Sequence, residues 1–180
     1  MFPICLLYFW PMKKQGRFAL CIFIFHLAIR LAAPAQQAPS PILEINGDIP
    51  HPHVFQEQEW NQLKHVSLMA TNAHDKKTAT YSGVPLRDLM TQAGLPSGES
   101  LRGKALLTTV VVSASDGYQI AFSLGELDES LGNLHVLVAD SEDGKPLAQG
   151  IGPLRLVVAS DKRPARWVRM IKTIRIVANP

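Results

Sequence analysis

Seven cations crowd the C-terminal part of the chain: Arg155, Lys162, Arg163, Arg166, Arg169, Lys172 and Arg175, with Asp161 the only acid among them. If they converge in space they form an anion site, because a planar guanidinium matches the two oxygens of a carboxylate or phosphate. A solvated strand face whose cations pair with the chain's acids is the competing reading. His51-Pro52-His53, with His74 and Asp75 farther on, is a poor metal constellation: a rigid proline separates the first two histidines, and no pair has the i, i+4 spacing that shares a helix face. A surface loop accounts for them. His135 lies in an apolar stretch and reads as a sheet histidine. With no G-x-S-x-G elbow, a nucleophilic triad is unsupported.

The elements that must position these residues are mostly strands. Ile42 to Ile45 reads as a first strand ending at Asn46-Gly47-Asp48, and Val54 to Leu63 as a modest helix. His65 to Thr71 and Thr78 to Tyr81 are strand-like. Pro85 to Ala93 is an amphipathic helix with Leu86, Leu89, Met90 and Ala93 on one face, Pro85 in its first turn and Gly94 closing it. The β-branched run Ala105 to Ser113 predicts a strand buried on both faces. Asp116-Gly117 turns into Tyr118 to Phe122, and Ser123 with Glu126 spells a capping box for a helix over Leu124 to Glu129. Leu134 to Ala139, Arg155 to Ala159 and Thr173 to Val177 are further strands, with a turn over Glu142 to Pro146. Strands that do not alternate regularly with helices predict an α+β domain with a mixed, largely antiparallel sheet. Trp60 and Trp167 read as core or rim packing.

The first 35 residues are different in kind. They hold four basic residues, no acid, and both cysteines of the chain, Cys5 and Cys21. Lys13, Lys14 and Arg17 precede the apolar Phe18 to Leu31, and Ala33-Pro34-Ala35 resembles a cleavage site, so residues 1–35 are expected to be a signal peptide, with Met12 an alternative start. The competing reading is an uncleaved anchor, for which the apolar stretch is short against the roughly 20 residues of a spanning helix. Acylation at Cys21 is disfavoured by the bulky Leu20 before it. Residues 36–41 are then a Pro-rich linker and 42–180 the working domain, periplasmic or secreted. The full chain carries 18 basic and 15 acidic residues, net +3. Without the first 35 residues it carries 14 against 15, net −1, and no cysteine, so neither a disulfide nor a thiolate ligand is available there. That balance, and export, exclude nucleic acid as the partner.

Five phrases in order carry a resemblance: Gly83 to Leu89 (GVPLRDL), Ser115 to Tyr118 (SDGY), Asp143 to Leu147 (DGKPL), Gly152 to Val158 (GPLRLVV) and Ala165 to Ile171 (ARWVRMI). Together the series resembles the oxidoreductase molybdopterin-binding domain of the sulfite oxidase family, loosely over Leu43 to Val177 and well from Gly83. The resemblance implies that family's α+β fold. It also implies a molybdenum held by a pyranopterin dithiolene and by one protein cysteine, in the loop after a strand preceding the GVPL helix. The matching stretch here, Leu68 to Lys77 (LMATNAHDKK), has no cysteine, so the chain resembles the short exported members that lack the ligand. By the same resemblance Arg155, Arg166 and Arg169 approach a pterin and its phosphate, and Asn72, His74 and Asp75 occupy the loop that carries the metal cysteine. Asp116 and Tyr118 are expected to reach the same cavity. The alternatives are a turn that replaced a lost site, and an ordinary hairpin turn with a packed tyrosine.

Two functions follow as expectations. One is an oxidoreductase-related protein whose molybdopterin binding is altered or lost, with no metal ligand of its own. The other is a non-catalytic periplasmic module for a small anionic ligand or a protein partner, touching membrane only through an uncleaved N-terminal segment.

Overall fold

The computed structural model describes residues 41–178. The expected signal peptide at 1–35, the alternative start Met12, and linker residues 36–40 lie outside the described residues.

Among the described residues, ten strands form two sheets. The first, in the order β2-β1-β10-β5-β6, uses β1 (Leu43–Gly47), β2 (His53–Phe55), β5 (Thr109–Ala114), β6 (Gln119–Ser123) and β10 (Ile171–Val177). The second, β3-β4-β7-β8, uses β3 (Val66–Thr71), β4 (Thr78–Pro85), β7 (Val136–Glu142) and β8 (Lys145–Pro146), and β9 (Arg155–Val158) also pairs with β7. Among the described strands only β1 and β10 run parallel; every other pair is antiparallel. The expected α+β class with a largely antiparallel mixed sheet is what is found.

Alternation places Leu43 and Ile45, Val110, Val112 and Ala114, and Ile174 and Ile176 in one continuous hydrophobic core. Helix α2 (Leu86–Gln92) buries Leu86, Leu89 and Met90 as its spacing predicts, and Gly94 at φ +85 ends it. Gly83, just before that helix, is required by the sheet: at the irregularity between Ser82 and Gly83, a Cβ at Gly83 would lie 2.1 Å from the Val138 carbonyl oxygen. No side chain fits there.

Several elements depart from the expectation. The run from Ala105 is not one strand, because residues Gly103–Leu107 form a 3-10 turn that begins at φ +60 and leaves Leu106 and Leu107 exposed. Strand β5 starts later and alternates buried with half-buried positions, while the strands buried continuously are β9 and Val136 to Ala139 of β7. The expected helix over Val54 to Leu63 shrinks to α1 (Glu57–Trp60), since Val54 and Phe55 are taken by β2. Trp60 is fully buried, and its indole N–H donates to Asp140 Oδ2 at 2.8 Å, which ties this segment to β7. His135 precedes β7 and is exposed. Helix α3 (Leu124–Leu127) is capped by Ser123, whose hydroxyl accepts the Glu126 N–H, but the Glu126 carboxylate turns to another partner.

Candidate functional site

Strand β9 carries Arg155 into the interior, where pairing with Ala139 of β7 fixes its position. Its side chain lies over two aromatic rings, with the guanidinium carbon 5.1 Å from the Trp167 centroid and 5.6 Å from that of Tyr81. The two rings meet edge to face at 5.8 Å. Trp167 is held by its indole N–H, which donates to the Val158 carbonyl at 2.9 Å. Arg155 is 7% exposed, forms no ion pair among the described residues, and leaves its Nε without a hydrogen-bond partner. Cation–π contact offsets part of the cost of burying such a charge. It does not replace a carboxylate, because an unpaired buried cation forfeits water without a counter-charge.

Around Tyr81 the charges are mixed. Burial pushes its phenol above the ordinary value near 10, and the Arg155 charge opposes that rise. Glu142, Lys77 and Asp75 act on it more weakly. Lys77 donates to Glu142 at 2.6 Å, which raises the Lys77 pKa. Asn72 and His74 occupy the β3–β4 turn: the Asn72 side-chain oxygen accepts the His74 N–H at 3.0 Å, and the Asn72 N–H donates to the Lys77 carbonyl. Both are therefore engaged in shaping the turn.

On the segment after β9, a pocket of about 250 Å3 is lined by Asp116, Tyr118, Pro164, Ala165, Trp167 and Arg169 among others. The Tyr118 hydroxyl donates to the Ala165 carbonyl at 2.8 Å, and Asp116 accepts the Tyr118 N–H. Trp167 thus joins Arg155 to the pocket that holds Asp116 and Arg169.

Arg166 is placed differently. Its guanidinium meets Asp161 through two hydrogen bonds, Nε to Oδ2 at 2.9 Å and Nη2 to Oδ1 at 2.6 Å, and meets Glu126 at 2.9 Å through Nη1. Its carbon also lies 4.9 Å from the Phe122 centroid. The Asp161 hydrogen bonds, ahead of the lowering by burial and the Glu126 contribution, raise its pKa further. A guanidinium so occupied has little left for a free anion.

Of the residues expected at a site, Arg155 packs against Trp167, Asp116, Tyr118 and Arg169 line the pocket that Trp167 shares, Asn72, His74 and Asp75 shape the β3–β4 turn, and Arg166 is committed to two carboxylates. Sequence reasoning left Tyr81 as a strand residue and treated Trp167 only as packing. Neither could be matched to Arg155 without the strand register, which brings residues 74 and 12 positions away onto one side chain. Among the described residues no group of three or more His, Cys, Asp or Glu side chains is arranged to hold a metal ion.

The family model described as the oxidoreductase molybdopterin binding domain matches residues 43–180. Among solved structures, the chain is similar to the sulfane dehydrogenase SoxCD from Paracoccus pantotrophus, with a TM-score of 0.59 and 19% sequence identity over 78% of this chain. It spans 39% of that chain, and at this identity the likeness is one of fold. Comparison with curated proteins yields no match.

Proposed function

Because the chain belongs to the oxidoreductase molybdopterin binding domain family, we propose that it is an exported, pterin-binding or related anion-binding domain in which binding of the metal centre has been altered or lost. Fold alone does not assign this. The observation that carries it is Arg155: a cation more than nine-tenths buried, stacked on Tyr81 and Trp167, with an orphaned Nε and no carboxylate. An anionic ligand is the group that completes such a site. Trp167, which packs against Arg155, also lines the neighbouring pocket together with Tyr118 and Arg169, a second cation.

The donor set does not fit a thiolate-held molybdenum. Residues 22–180 contain no cysteine, and Leu68 to Lys77 offers amide, imidazole, carboxylate, hydroxyl and amine groups, its only sulfur being the neutral Met69 thioether.

The test is to express the full chain in a host that makes molybdopterin, purify it under mild conditions, and measure metal by mass spectrometry and pterin by fluorescence. Pterin without stoichiometric molybdenum is expected, and Arg155→Met should abolish its retention. Stoichiometric molybdenum would overturn the loss of metal, and the absence of pterin would leave the non-catalytic anion-binding module as the surviving function. Export is checked separately, by sequencing the N-terminus of the protein recovered from the periplasm or medium, with Gln36 expected first.

A further inference from the structure

A second cavity, of about 430 Å3, opens between α2, α3 and the loop that follows α2. It has no lining residue in common with the pocket beside Trp167. Its volume falls within the range of small-molecule sites. The floor is apolar and buried: Met90 from α2, Leu124 and Leu127 from α3, with Leu95 beside them.

Two groups of opposite charge stand over that floor. Asp128 is buried, and its carboxylate is held by three donors: the Ser130 N–H at 2.9 Å and hydroxyl at 2.5 Å on Oδ1, and the Gly98 N–H at 2.8 Å on Oδ2. These bonds, the Ser130 hydroxyl first, lower its pKa and keep it ionised, and Arg87 contributes in the same direction. One acceptor position on Oδ2 stays open. Arg87, about a third exposed, has only distant partners: Asn133 Oδ1 at 3.3 Å, and Asp88 and Glu129 at 3.8 Å each. A guanidinium with five donors and one long hydrogen bond is poorly satisfied. Asp88 and Glu129 are themselves largely solvated, so the fixed buried charge of the cavity is Asp128 and its partly exposed counterpart is Arg87.

An apolar body alone would leave the open position on Asp128 Oδ2 and the free donors of Arg87 unused, and a simple amine or acid would engage only one of them. We propose that this cavity binds a small zwitterion with an apolar body, of the class of free apolar α-amino acids, with its ammonium on Asp128, its carboxylate on Arg87 and its side chain on the Met90–Leu124–Leu127 floor. The binding is independent of the anion site at Arg155.

The full chain, isotopically labelled, is titrated with L-leucine, L-leucinamide and 4-methylpentanoate while the Gly98 and Ser130 amide resonances are followed. Saturable shifts with L-leucine are expected, and each analogue lacking one charge should bind about tenfold more weakly or worse, the loss of one charged contact. Arg87→Gln, a change at a partly exposed position, should bring L-leucine down to the level of L-leucinamide while circular dichroism shows the fold intact. No saturable shift with L-leucine, a loss below tenfold for either analogue, or unchanged discrimination in Arg87→Gln overturns the proposal.

Discussion

Arg155 and Arg166 lie eleven positions apart in one basic run, and each places its guanidinium over an aromatic ring. There the likeness ends. Arg166 has Asp161 on two of its nitrogens and Glu126 on a third, which ties the segment after β9 to α3. Arg155, the more deeply buried of the two, has rings and no acid. Charge-assisted bonds turn the first arginine into a fastening between elements, whereas the second is a cost that the isolated chain bears. Density of cations along a sequence therefore says little about anion binding. What separates the two arginines is whether the chain supplies its own counter-charge.

Removing each arginine in turn should separate the two most strongly. Arg166→Met strips Asp161 and Glu126 of their partner in a partly buried setting and should lower stability by about 2 kcal/mol in urea unfolding, below the full cost of a deeply buried pair because the group is about a third exposed. Arg155→Met removes an unpaired charge and keeps apolar contact with Tyr81 and Trp167. The unliganded chain should gain about 1 kcal/mol in the same measurement. Equal losses for both variants would show that Arg155 is as well compensated as Arg166, and the anion site would lose its basis.

This difference explains how far the sequence could be read. The strand and helix periods were legible: Leu86, Leu89 and Met90 face the core, and strands β1, β4, β9 and β10 lie close to where apolar residues predict them. The run at Ala105 misled because β-branched and leucine residues alike count as apolar, while the positive φ at Gly103 starts a turn that composition does not display. For the site, the type of residue was legible and its partner was not. Glu126 looked like half of a capping box and proved to be a partner of Arg166 across 40 positions, a contact set by tertiary packing. Conversely, nothing local marks Tyr81 as the ring beneath Arg155; that contact depends on β4 and β9 flanking β7.

The smallest effect probes Arg155 through its neighbour. Tyr81 has its phenol raised by burial, and the Arg155 charge holds the rise in check. Because the folded pKa exceeds the unfolded one, the neutral phenol contributes stability that is intact below about pH 10 and is lost as pH climbs through the folded value. In Arg155→Met the check is gone, so the Tyr81 midpoint should move upward and the alkaline loss of stability should extend to higher pH. Absorbance near 295 nm follows phenolate formation, and subtracting the same titration of Tyr81→Phe isolates this group from the other two tyrosines. An Arg166→Met chain is the control, since Arg166 is not among the charges acting on Tyr81 and its midpoint should stay put. If Arg155→Met leaves the midpoint unmoved as well, the charge of Arg155 is already neutralised in the free chain, and the contrast between the two arginines fails at its origin.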